Sequence, residues 1–303
     1  MILPLGLLAL AAGAAARRAA THRRERSLAA RLPVGADGII PGARSISLPG
    51  GTRAVLMLHG FGDTPQSLHY LAAYLHERGF RVEVPLLPGH GRTLAAFSES
   101  GREQWLGAAR EELAALRTTH SDVALLGLSM GGALATILAA DPPAPSALVL
   151  LAPYLGMPPA VRRVAGAHWL VGMVMTYVSG GGSESIRDPA EKARNLAYGA
   201  CTPELLHELR ALVDQAVHAL PDVRVPTLLV QSAEDNRISR AVAEGALARL
   251  GAREKRLEWT TGQGHIITVD LGRERVFALV HDWLVAHPAA APEVATKSAR
   301  DTI

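Results

Sequence analysis

The chain has 303 residues, 49% of them hydrophobic but only 4% aromatic, with a single cysteine. That length supports one large core carrying an insertion, and the lone Cys201 excludes an intramolecular disulfide, leaving a buried structural thiol as the default. The net charge of +3 is uneven: residues 1–31 hold six arginines against one glutamate, a net +5, so the remainder carries −2 and offers no basic groove for nucleic acid.

Met1 to Ala16 is uncharged and rich in Leu and Ala, and Arg17, Arg18, Arg23, Arg24, Arg26 and Arg31 follow. Sixteen helical residues span about 24 Å against a hydrocarbon core of about 30 Å, a marginal membrane span. Ala14-Ala15-Ala16 suits a secretory cleavage site, yet no basic region precedes the apolar run. Positive charge after the run favours a membrane-associated protein with a cytoplasmic catalytic domain. Cleaved export and an interfacial or unstructured tail are the alternatives.

Strand and helix signals then alternate. Ala54 to Leu58 reads as a strand, and Leu68, Leu71, Ala72 and Leu75 recur at helical spacing. Phe80 to Val84 is the next strand; Leu106, Ala109, Leu113 and Leu116 make a second helix face. A strand over 123–126, a helix over 131–140 and a strand over 147–151 complete the first half. Strands follow at Thr227 to Val230 and Arg253 to Trp259. This order predicts an α/β domain over residues 32–287, with a mostly parallel sheet covered on both faces and a tail over 288–303.

Between Pro153 and Pro221 the alternation stops, which predicts a helical cap inserted over residues 154–220. Trp169, Leu170, Met173, Val174 and Tyr177 recur there at helical spacing, and methionine adapts to flexible apolar ligands. Trp169, Met173 and Tyr177 are therefore expected to line a substrate pocket; burial against the main domain is the competing reading. Ser179-Gly180-Gly181-Gly182-Ser183 reads as a flexible link, either a lid hinge or a loop.

The chemistry centres on Gly127-Leu128-Ser129-Met130-Gly131, between a strand and a small-residue helix. A nucleophilic serine needs such a sharp turn, with residues lacking bulk two positions away on either side. Folds that use this elbow place an acid and then a histidine on loops after later strands. Asp235 follows the strand over 227–230, with Glu234 as its neighbouring rival, and His265 follows the strand over 253–259. His59 precedes the nucleophile and reads as a loop-packing histidine; His90 reads as part of a surface loop. The backbone N–H groups of Phe61, in His59-Gly60-Phe61-Gly62, and of Met130 are the expected oxyanion donors.

The strings His59-Gly60-Phe61-Gly62-Asp63-Thr64-Pro65, Leu86-Leu87-Pro88-Gly89-His90-Gly91, Gly127 to Gly132 and Gly264 to Asp270 together resemble the α/β-hydrolase superfamily, and more closely its bacterial carboxylesterases and monoacylglycerol lipases. The resemblance covers roughly residues 40 to 287. It implies the α/β-hydrolase fold and hydrolysis of small-molecule acyl esters by Ser129, Asp235 and His265, with no metal or organic cofactor. A thioesterase, an aminopeptidase, an acyltransferase and a ligand-binding receptor with a silent triad are the alternatives. An aminopeptidase would need cap acids such as Glu184, Asp188 or Glu191 to hold an amine.

Overall fold

Successive side chains of a strand point to opposite faces, so a strand that is apolar throughout must be covered on both. The computed structural model describes residues 2–180 and 183–289, and the side chains of residues 12–180 and 184–289. The chain opens with α1 (Ile2–Arg31), followed by β1 (Ile46–Leu48), β2 (Arg53–Leu58), α2 (His69–His76), β3 (Arg81–Val84), α3 (Leu94–Ser98) and α4 (Arg102–Arg117). Next come β4 (Asp122–Leu128), α5 (Met130–Ala140) and β5 (Leu148–Leu151). An insertion of α6 (Pro159–Gly166), α7 (His168–Val174), β6 (Val178–Ser179), α8 (Pro189–Arg194), β7 (Ala200–Cys201) and α9 (Pro203–Ala219) separates β5 from β8 (Thr227–Ser232). Helix α10 (Arg240–Arg249), β9 (Lys255–Thr260) and α11 (Arg273–Ala286) complete the fold.

Seven strands form one sheet in the order β1-β3-β2-β4-β5-β8-β9, and all neighbours are parallel except β1 with β3. This is the mostly parallel sheet that the alternation predicts, and it fits the fold that the resemblance implies. In β2, Val55 and Met57 join the apolar layer under α2 and α11, whereas Leu56 and Leu58 join the layer under α4, α5 and α9. Parallel order brings the carboxyl ends of β2, β4, β8 and β9 to one edge, where the loops after them meet. Cys201 is buried in the second of these layers, and burial pushes its thiol up to about 12.

The basic half of the amino-terminal segment packs on the rest of the chain. From Arg17 onward α1 is clasped to the insertion: Arg17 Nε donates to Thr176 Oγ1 at 3.2 Å, and Arg24 to the Gly199 carbonyl at 2.9 Å. Arg31 donates to the Ala197 carbonyl at 2.6 Å, and the Tyr177 hydroxyl to Glu25 at 2.9 Å. Leu28 and Leu32 are buried in the core. Among the described residues no helix is long and apolar enough to cross a membrane. The side chains of residues 1–11, most of the apolar run, lie outside the described residues, as do the tail over 290–303 and Gly181 and Gly182 of the glycine link.

Candidate active site

Ser129 sits between β4 and α5 with φ 54° and ψ −116°, a backbone conformation that a residue with a side chain rarely adopts. The flanking glycines make the turn geometrically feasible. A Cβ on Gly127 would lie 2.1 Å from the Gly131 carbonyl oxygen, and one on Gly131 would lie 1.9 Å from that of Leu58. The Ser129 amide donates to the Leu151 carbonyl at 3.0 Å, and its own carbonyl accepts the Tyr154 amide at 2.9 Å. The strained residue is thereby pinned to β5 and to the segment after it.

His265 follows β9 and brings Nε2 within 2.8 Å of Ser129 Oγ. Its Nδ1 lies 2.7 Å from Asp235 Oδ2, so Nδ1–H donates to the carboxylate and Nε2 is left to accept the serine proton. Asp235 Oδ1 accepts the amides of Arg237 at 2.6 Å and Ile238 at 3.0 Å, and Gln231 Nε2 donates to Oδ2 at 2.6 Å. Burial alone would raise this carboxyl. The hydrogen bond and charge of His265, with the two amides, outweigh it and hold Asp235 below the usual carboxylate range. Its rival Glu234 turns away, accepting the Gly262 amide at 3.0 Å.

The loop after β2 carries Phe61, and Met130 opens α5, where a first-turn amide has no acceptor within the helix. His59 holds this loop. The Leu87 amide donates to His59 Nε2 at 3.1 Å, which leaves Nδ1–H to donate to the Gly60 carbonyl at 3.0 Å. Full burial lowers the imidazole to about 4, keeping it neutral. His90 corrects the expectation of a surface loop. It is fully buried against His59, Phe97 and Trp105, with ring centroids 5.0, 4.6 and 5.7 Å away, because its loop folds inward onto α4.

A cavity opens over Ser129 and His265, with an apolar wall of Val161 from α6 and Leu206 and Leu209 from α9. Trp169 and Met173 do not line it: they are 65% and 59% exposed on the outer face of α7. Tyr177 is also outside, half-buried with its hydroxyl on Glu25. The helical stripe is real, but it faces away from the cavity over Ser129. Spacing identifies a stripe and not the side on which it is covered.

The residue pattern alone assigns no role to four polar residues. Asp63 and Arg237 line the cavity, and Asp63 Oδ1 is buried with no partner among the described residues. Burial pushes the Asp63 carboxyl up to about 6; the Ser67 hydroxyl, the Thr64 amide and the charge of His265 offset this only partly. Tyr154 lines the same wall, and Asp270, fully buried, ties the His265 loop to the insertion. Asp63 and Asp270 stand inside the quoted motif strings, but their roles depend on what surrounds them. Among the described residues, no three His, Cys, Asp or Glu side chains converge as a metal site.

A family model described as Hydrolase_4: Serine aminopeptidase, S33, matches residues 51–272. The chain is 25% identical over 245 residues to a carboxylesterase of Bacillus subtilis (strain 168), covering 80% of this chain and 96% of that protein. It is 25% identical over 249 residues to a thermostable monoacylglycerol lipase of Bacillus sp. (strain H-257), covering 82% and 97%. A solved chain from work on the metagenome-derived lipolytic enzymes LipS and LipT superposes with a TM-score of 0.76 at 27% identity, covering 82% of this chain and all (100%) of that one.

Proposed function

We propose, from the premise that the chain belongs to the Hydrolase_4 family of α/β-hydrolases, that it hydrolyses carboxylic esters through an acyl-enzyme on Ser129. The observation that carries this is the continuous relay of 2.8 Å from Ser129 to His265 and 2.7 Å from His265 to Asp235, at the floor of a cavity. Nε2 of His265 takes the hydroxyl proton as Ser129 Oγ bonds to the acyl carbon. The Phe61 and Met130 N–H groups hold the oxyanion, and Asp235 holds the imidazole tautomer and stabilises its cation. Collapse expels the alcohol, protonated by His265. Water then repeats the sequence and releases the carboxylic acid. Residues 154–220 act as a cap whose helices α6 and α9 supply the acyl wall.

The relatives' activities favour esters, and the cavity disfavours an aminopeptidase. Of the cap acids that would hold an amine, Asp188 caps α8 by accepting the Ala190 amide at 2.9 Å, and Glu191 is buried against the Tyr70 hydroxyl at 2.9 Å. None of Glu184, Asp188 and Glu191 lines the cavity. Hydrolysis of p-nitrophenyl butyrate beside the Ser129→Ala protein tests the reading. Losing the nucleophile of a triad costs on the order of 10⁶ in kcat, as in subtilisin, and a fluorophosphonate should label Ser129 alone. Undiminished turnover by Ser129→Ala would overturn it.

A second observation favours membrane association of a peripheral kind. The exposed run Trp169, Leu170, Met173, Val174 and Met175 lies beside the arginines of α1, joined to it through Arg17 and the Met173 carbonyl at 3.3 Å. An apolar stripe flanked by cations suits shallow burial in an anionic leaflet rather than a span.

A further inference from the structure

Arg237 is the arginine on the wall of the Ser129 cavity, and among the described residues it has no carboxylate within 4.0 Å. Its Nε donates to the Ser185 hydroxyl at 3.0 Å, which fixes the guanidinium at the cavity wall, since Ser185 is buried and lines the same space. The nearest acid in sequence, Asp235, is already engaged by His265, Gln231 and two amides. The acid that lines the cavity, Asp63, belongs to the loop after β2, on the side of Gly60: its Oδ2 and Ser129 Cβ lie 3.7 and 3.4 Å from where a Cβ on Gly60 would sit. A fixed guanidinium on the cavity wall, with donors left over among the described residues, is suited to binding an oxyanion.

The side of the cavity matters. Val161, Leu206 and Leu209 offer the acyl chain an apolar wall. Ser185 and Arg237 belong to segments that flank His265: the Ile266 amide donates to the Ser185 carbonyl at 3.1 Å, and Arg237 follows Asp235 by two residues. The leaving oxygen must face His265 to receive its proton, so the alcohol half of the ester extends along this polar wall.

Building on the ester-hydrolase reading, we infer that Arg237, braced by Ser185, selects esters whose alcohol half carries an anionic group, a phosphate or a carboxylate. The test compares 1-hexanoylglycerol, 1-hexanoylglycerol 3-phosphate and the hexanoyl ester of glycerate, following hexanoate release by the wild-type, Arg237→Gln and Arg237→Lys proteins. In the wild type, kcat/KM should be higher for at least one anionic ester than for the neutral one, and which of the two shows whether phosphate or carboxylate is the preferred group. Arg237→Gln should lower the anionic-to-neutral ratio at least tenfold, mainly through KM, and Arg237→Lys should restore part of it. A purely structural role would reduce all three esters alike and leave the ratio fixed, which would overturn the inference. Calorimetry with glycerol 3-phosphate and glycerate reads the subsite without turnover. Binding of either that weakens at least tenfold in Arg237→Gln supports it even if no ester is hydrolysed, the result that would instead remove the ester-hydrolase reading; binding insensitive to Arg237→Gln sinks the subsite alone.

Discussion

The carboxylate of Asp270 accepts the amide of Gly264, the residue before His265, at 2.7 Å. The same side chain accepts the amides of Arg187 at 2.9 Å, Asp188 at 2.8 Å and Leu271 at 2.9 Å, so one buried acid joins the histidine loop to the insertion between β5 and β8. Removing it would leave the buried amide of Gly264 and the partly buried amides of Arg187, Asp188 and Leu271 without this acceptor, at about 1–3 kcal/mol for a fully buried donor and less for the others. Asp270→Ala is expected to lose several kcal/mol of stability in urea unfolding and to lower kcat, because His265 is no longer held. Asp270→Asn keeps an acceptor oxygen and should fall between. Wild-type kcat and unfolding midpoint in Asp270→Ala would refute the coupling.

Two adjacent acids make opposite uses of their carboxylates, and exchanging each for its amide separates them. Asp235→Asn disturbs the partner of His265 Nδ1 and should lower kcat by about 10⁴, as the same exchange does in trypsin by favouring the wrong imidazole tautomer. Glu234→Gln touches only the Gly262 amide and the Ser232 hydroxyl, so its effect on kcat should be within about tenfold. Steady-state kinetics on one soluble ester decides, and a larger loss from the Glu234 change would exchange the assignments.

The sequence made these loops legible because their demands are steric and ordered. Gly127 and Gly131 admit no side chain, and the acid and histidine follow strand ends in a fixed order. The strands over 54–58, 123–126 and 227–230 were visible as apolar runs because both faces of the sheet are buried. Edge strand β1 has only three residues, Ile46–Leu48, too few to establish a period. The outward turn of Trp169 and Met173, the inward fold of His90 and the docking of α1 are tertiary facts: each depends on which surface lies opposite, and a one-dimensional pattern does not encode that.

Asp63 gives a pH-dependent stability with a definite sign. Its folded value of about 6 lies above the ordinary carboxylate value of about 3.9, so the native state takes up the proton first. The cost of the buried charge is therefore full above pH 6 and disappears as the pH falls toward 4. Asp63→Asn removes that cost, and a shift of this size corresponds to stabilisation on the order of 2–3 kcal/mol at pH 8, with little change at pH 4. His59, lowered to about 4, acts in the opposite direction: its stabilising share is full above its unfolded value and is lost on acidification. The comparison must thus be variant against wild type at each pH, by urea unfolding. An equal difference at pH 8 and pH 4 would show that the carboxyl is not carrying a buried charge.

The outer stripe of α7 should carry lipid binding and leave catalysis untouched. Trp169 and Val174 are 65% and 70% exposed, so nothing among the described residues covers them, and they lie outside the cavity over Ser129. A fully buried large apolar side chain contributes about 1.5–3 kcal/mol, and each arginine near an anionic surface about 1 kcal/mol. If the stripe and the α1 arginines rest together on lipid, the protein should float with vesicles containing anionic lipid more than with neutral ones, and high salt should weaken the binding without abolishing it. Trp169→Glu with Val174→Glu removes the apolar part and adds repulsion, and should reduce vesicle binding at least tenfold while hydrolysis of a short soluble ester continues. Salt then separates the two forces: the residual binding of the double variant should be almost entirely salt-sensitive, because only the arginines remain to hold it. Undiminished flotation of the double variant would move the lipid contact away from α7 altogether.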